Sequence, residues 1–125
     1  MLIIRRPPLL ATLTAGVLLA TTGTALAGTS AVAAKVDSVL LDAANFGGCM
    51  AMLSVSPRTK LAGCGDWWVT FDCAGSLGSV DTVRAYRMLD QAQLALASGK
   101  TLVVYFRDDK RVNGYCFAYR MDLVR

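Results

Sequence analysis

The sequence predicts a small α+β, mostly-β domain: an antiparallel sheet or a partly closed OB-like barrel, in the order strand, strand, strand, helix, strand, strand. Three observations carry that expectation. Only residues 79–98 keep a helical apolar period with no interrupting Pro or Gly. The segments on either side alternate between apolar and polar residues and are punctuated by Gly-containing turns. Four cysteines in 125 residues supply the two cross-links that small exported domains use in place of a large core.

Residues 1–27 have the pattern of a secretory signal peptide: Arg5 and Arg6, an apolar run from Leu9 to Ala20, then the small-residue site Ala25-Leu26-Ala27. A second small-residue site, Ala31-Val32-Ala33, leaves the point of cleavage open. Thr12, Thr14, Thr21 and Thr22 dilute the apolar run below the ~20 residues that a membrane span requires, so no span is expected once the leader is removed. The expected location is the periplasm or the exterior of the cell. From Gly28 onward, 11 basic residues face nine acidic ones, and the net charge drops from +4 to +2. No basic stripe remains, which argues against a nucleic-acid partner.

Gly28 to Lys35 is small and polar and reads as a flexible N-terminal lead-in, with the folded domain spanning 36–125. Residues 36–45 form the first expected strand, followed by the turn Asn45-Phe46-Gly47-Gly48. Cys49 to Val55 alternates until Ser56-Pro57-Arg58-Thr59 breaks it. A Gly-rich loop over 61–66 leads into the strand Trp67–Cys73, and 74–78 is a linker. A hairpin centred on Leu61 places Cys49 opposite Cys73, Ala51 opposite Phe71, Leu53 opposite Val69 and Val55 opposite Trp67. Directly opposed strand residues lie within reach of a disulfide. Of the three connectivities that four cysteines allow, this register favours Cys49–Cys73 with Cys64–Cys116.

Ser79 or Asp81 caps the helix at its start and Gly99 stops it. Ala85, Met88, Leu89, Ala92, Ala95 and Leu96 share the face expected to lie on the sheet. Val83 and Leu94 lie on the far side with Tyr86 on the flank, as scattered surface apolars or as a subunit interface. The last two strands, 101–107 and 115–124, pair about Asn113-Gly114, with Phe106 opposite Met121 and Val104 opposite Leu123. Tyr115, Phe117 and Tyr119 are expected on that same face. Asp108-Asp109-Lys110-Arg111 is the alternative turn.

The run from Met88 to Val104, a leucine–aspartate–glutamine–alanine helix that stops at Ser98-Gly99 and enters a β-branched strand, resembles pentameric B subunits of the subtilase-cytotoxin and pertussis-like toxin group. The strand ending in Cys73, the leader, the single helix and the domain length are similar too. So are small exported bacterial proteins of unassigned role. The resemblance implies a homo-oligomeric ring with the helices at its pore and an outer face that binds cell-surface glycans. This chain lacks the longer C-terminal excursion of those subunits, and their serine-bearing sugar segment matches no residue here.

Catalysis finds little support. There is no His, every acidic residue is Asp, and the cysteines are expected to be oxidised, which leaves only a Ser–Lys arrangement for nucleophilic chemistry, and nothing in the sequence marks one. No phosphate loop, calcium loop or zinc-type Cys spacing occurs, so neither cofactor nor metal is expected. Among the carboxylates, Asp66, Asp72 and Asp81 are the remaining candidates for a small hydrolase. For ligand binding, Trp68 with Thr70, or Tyr105 with Arg107, supplies an aromatic platform beside polar groups, or else an ordinary amphipathic sheet surface. The expected function is a non-catalytic exported binding domain. The alternative is a monomeric protein that binds or inhibits an envelope protein through Trp68, Met50 and Met52.

Overall fold

The computed structural model describes residues 27–78 and 81–125, so all but the last residue of the expected leader, together with Ser79, lie outside the described residues. Strands β1 (Thr29–Ala34), β2 (Val36–Leu41), β3 (Cys49–Leu53) and β4 (Trp68–Thr70) precede helix α1 (Thr82–Ser98), and β5 (Thr101–Val112) and β6 (Tyr115–Val124) follow it. A short 3-10 turn, Pro57–Thr59, interrupts the β3–β4 connection.

The strands run β1-β5-β6-β4-β3-β2 across one sheet. β1 and β2 stand at opposite edges, yet Lys35 alone separates them in the chain. The sheet therefore curls until its edges meet, and the two strands are halves of one bent strand that closes a barrel. Counted that way the barrel has five strands, with the helix between the third and fourth and a parallel contact, Thr70 with Phe117, between the third and fifth. This is the OB arrangement. The sheet is mixed, where the sequence suggested a purely antiparallel one.

Thr29–Ala34 is not a flexible lead-in. All six residues pair with β5, from Thr29 opposite Arg107 to Ala34 opposite Leu102. Val32 and Ala34 are 3% exposed, so alternate small residues fill the barrel beside β5 while their neighbours face outward. Small apolar side chains suffice at such a strand, which is why the segment looks structureless in composition.

The β3–β4 hairpin keeps its expected faces but shifts its register. Ala51 lies opposite Val69 and Met52 opposite Trp68, so Cys49 is opposite Phe71, whose N–H donates to the Cys49 carbonyl at 3.1 Å. β4 is also shorter than 67–73, because Trp67 (φ 65°) and Asp72 (φ 61°) both adopt the left-handed region and turn the chain at each end. The turn at Asp72 carries Cys73 back to Cys49. Both expected disulfides are present, with Cα–Cα distances of 5.5 Å for Cys49–Cys73 and 5.2 Å for Cys64–Cys116. The first bridge therefore closes through a bend and not through a direct cross-strand pair.

In the second hairpin Asn113 (φ 51°) and Gly114 (φ 85°) form the turn, both left-handed as a type I′ turn requires. The register beyond it departs from expectation: Phe106 faces Ala118, Val104 faces Met121 and Leu102 faces Leu123. Residues 108–110 bulge from β5, and Tyr119 is the extra residue on β6 between Ala118 and Arg120. The bulge at Tyr119 reverses the alternation, so Cys116, Ala118 and Met121 point inward while Tyr115, Phe117 and Tyr119 do not.

Asp81 caps α1, its carboxylate accepting from the N–H groups of Val83 (3.0 Å) and Arg84 (3.2 Å), and Gly99 (φ 65°) ends it. Ala85, Met88, Leu89, Ala92 and Ala95 are buried against the barrel, chiefly on β2 and β3, while Leu96 is left 40% exposed. Ala92 and Ala95 allow the helix to approach closely. Phe71, Phe106, Leu53, Leu102, Val69 and Val104 fill the interior, each contributing on the order of 1.5–3 kcal/mol by burial.

Candidate functional site

On the outer face of β3 and β4 lies a cleft of about 200 Å³ lined by Leu40, Phe46, Met50, Trp68 and Tyr115. Each wall has its own support. Phe46 sits in the β2–β3 loop, closed by Asp42 N–H to the Gly48 carbonyl (2.9 Å) and by the Thr70 hydroxyl, which donates to the Phe46 carbonyl at 2.8 Å. Gly47 (φ 81°) lies so close to Thr70 and Asp72 that a Cβ there would collide with the Thr70 hydroxyl. Trp68 follows the left-handed Trp67, whose N–H donates to Ser56 Oγ at 3.2 Å, and Ser56 in turn donates to Asp66 at 3.0 Å. Tyr115 follows the type I′ turn and precedes the bridged Cys116. Gly65 N–H donates to the Gly114 carbonyl at 2.9 Å and leaves no room for a side chain over the Tyr115 ring.

Phe46 and Tyr115 meet edge to face, 5.9 Å between centroids. Met50 forms the floor at 2% exposure. No charged side chain lines the cleft. Neither the Trp68 indole N–H nor the Tyr115 hydroxyl has a protein partner among the described residues. In barrels of this topology the face of the second and third strands, with the loops after the first and fourth, holds oligonucleotides or oligosaccharides. In this chain those parts are β3, β4, the 42–48 loop and the Asn113-Gly114 turn, and the cleft lies among them.

Of the residues singled out from sequence, Trp68 lines the cleft. Thr70 does not: it is fully buried, and its hydroxyl fastens the Phe46 loop from beneath. Tyr105 and Arg107 lie on β5, away from Trp68, and are occupied with neighbours. Arg120 stacks over the Tyr105 ring at 4.6 Å, Tyr119 stands 6.5 Å from it, and Arg120 also pairs with Asp122 at 2.8 Å. Arg107 pairs with Asp109 through two hydrogen bonds. That contact holds the Asp109 carboxyl below its usual range and raises the Arg107 guanidinium, and Asp122 likewise raises Arg120. Met52 does not line the cleft. Leu40, Phe46 and Tyr115 were missed as site residues. The available signal was an aromatic residue set inside or beside a Gly turn, where no core position exists.

The three candidate carboxylates each have a structural duty. Asp72, fully buried, accepts from the N–H groups of Ser76 and Leu77 at 2.8 Å, Asp66 accepts from Ser56, and Asp81 caps α1. Among the described residues no cluster of metal-ligating side chains occurs, and no helix is long and apolar enough to cross a membrane. Val83, Tyr86 and Leu94 on the helix are 68%, 52% and 54% exposed. The fold and cleft define a disulfide-bridged OB-type barrel with an aromatic groove on the outer face of β3 and β4. No protein-family model, curated protein or solved structure matches the chain.

Proposed function

We propose that the protein is an exported, non-catalytic binding domain that holds a neutral sugar of a cell-surface glycan in the cleft of Trp68, Phe46 and Tyr115. The observation that carries this reading is an uncharged aromatic concavity, whose indole N–H and phenolic hydroxyl have no partner among the described residues, on the face this barrel type offers to ligands. Aromatic rings receive the apolar C–H face of a sugar, and an indole N–H and a phenolic hydroxyl can hydrogen-bond its hydroxyls. Single-stranded nucleic acid also stacks on aromatic platforms, but it needs cations along its backbone, and the cleft lining has none.

The resemblance to toxin B subunits supports the same reading and adds a homo-oligomer, a pentameric ring, with Val83, Tyr86 and Leu94 at the subunit interface. Exposed Trp67 (49%) and Leu41 (64%) favour a second reading, a monomer that docks an envelope protein on this side of the barrel. Glycan-array binding followed by titration of the best hit separates the two. Trp68→Ala should weaken binding about thirtyfold, and Tyr105→Ala should leave it unchanged. A monomer by light scattering with no array signal would discard the glycan reading and the ring together.

A further inference from the structure

Gly28 occupies an unusual place. Its N–H donates to Asp108 Oδ1 at 2.7 Å, and its carbonyl accepts from the Asp108 N–H at 3.1 Å. A Cβ on Gly28 would lie 2.8 Å from Leu61 Cδ2 and 3.4 Å from Asp108 Oδ2, so the residue is held closely on both sides. Asp108 is presented by the β5 bulge, half-buried, at the point where β1 begins its pairing with Arg107. Ala27, the residue before, is exposed.

We infer that Ala27–Gly28 is the processing site of this chain and that Asp108 is the built-in receptor for the new N-terminus. An export peptidase that selects small residues would hydrolyse the Ala27–Gly28 bond with one water. The C–N bond breaks as the water oxygen bonds to the Ala27 carbonyl carbon; one water proton goes to the Gly28 nitrogen as the bond breaks and the second follows from the new carboxylic acid, leaving an Ala27 carboxylate and a Gly28 ammonium at neutral pH. The donor that already meets Asp108 then carries a full positive charge. The contact changes from a hydrogen bond charged on one side into an ion pair charged on both.

The competing site after Ala33 is disfavoured by the fold. Cutting there would remove Thr29–Ala33, five of the six residues paired with β5, including Val32 at 3% exposure. It would leave the long β5 strand as a bare edge. The Gly28 site leaves the whole bent β1–β2 strand intact.

Two measurements test the inference. The full chain, exported with its own leader and purified folded, should show Gly28 as its first residue by intact mass and N-terminal sequencing. An uncut chain, or one starting at Ala34, would overturn the site. Thermal unfolding is then compared for chains released from a cleavable tag so that they begin at Gly28 or retain Leu26-Ala27. Asp108→Asn should lower Tm by roughly 3 °C or more in the first, and by at most half as much in the second. Equal losses in both would remove Asp108 as the receptor of the charge. Should Asp108→Asn not fold, chemical acetylation of the Gly28 amine in the unaltered sequence gives the same readout.

Discussion

The two halves of the barrel are held together by different means. On one side β1, β5 and β6 form a ladder with strands of 12 and 10 residues in β5 and β6, and no disulfide joins these strands to one another. On the other side β3 and β4 have five and three residues, too short to hold register by backbone pairing alone. There both disulfides converge: Cys49–Cys73 closes the end of the β3–β4 hairpin, and Cys64–Cys116 ties its loop to β6 beside Tyr115. Buried Thr70, Asp72 and Ser56 add side-chain hydrogen bonds to the same region. The aromatic cleft stands on this pinned half. Cross-links and buried polar contacts fix the positions of Phe46, Trp68 and Tyr115, and for the binding role proposed above such preorganisation lowers the ordering cost.

Breaking the bridges gives the largest expected effect. In the chain-entropy model, Cys64→Ser with Cys116→Ser costs about 4 kcal/mol for its 52-residue separation, and Cys49→Ser with Cys73→Ser about 3.5 kcal/mol for 24. Denaturant unfolding measures both. Hydrogen exchange sharpens the contrast between halves: in the reduced protein, amides of 42–54 and 68–73 should lose protection before those of β5 and β6. Simultaneous loss everywhere would show that the ladder has no independent hold.

The next effect is smaller and separates support from contact. Asp72→Asn replaces a carboxylate that accepts two backbone N–H groups in a fully buried turn, and should cost about 2 kcal/mol. Thr70→Val should cost about 1–2 kcal/mol by stranding the Phe46 carbonyl, and should also weaken ligand binding although Thr70 never touches the cleft. A Thr70→Val protein with normal affinity would mean that the Phe46 loop does not shape the site.

How legible each half was in the sequence follows from the same contrast. The helix, its cap at Asp81 and stop at Gly99, and both disulfides rest on local rules or on the parity of strand faces, and parity survived the register shift of β3 against β4. What failed was decided by backbone exceptions. Left-handed Trp67 and Asp72 shortened β4, and the bulge at Tyr119 turned Tyr115 and Phe117 away from the interior. A Trp gives no sign of a left-handed conformation, and although Asp adopts it more readily than most residues, nothing in the local sequence singles out Asp72 for it. β1 was hidden by its composition, since an Ala-rich strand supported by β5 needs no strong propensity of its own. Trp68 was visible as a cleft residue. Phe46 and Tyr115 were not, because their meeting depends on two distant turns closing on the same face.

The smallest expected effect belongs to the outer surface of the ladder, where aromatic and charged residues satisfy one another. Arg107 holds Asp109 below its usual carboxylate range, so any stability from that pair is present at neutral pH and disappears as pH falls through the lowered value. Both side chains keep about a third of their surface in contact with solvent, and screening by water and salt weakens the attraction. Asp109→Asn should therefore leave Tm unchanged within measurement at pH 7 in both low and high salt, and should not alter the pH 4–7 profile. A clear Tm loss in low salt that vanishes in high salt would mean that this face is pinned by charge, much as the cleft is pinned by sulfur. The two halves would then differ only in which interaction supplies the restraint.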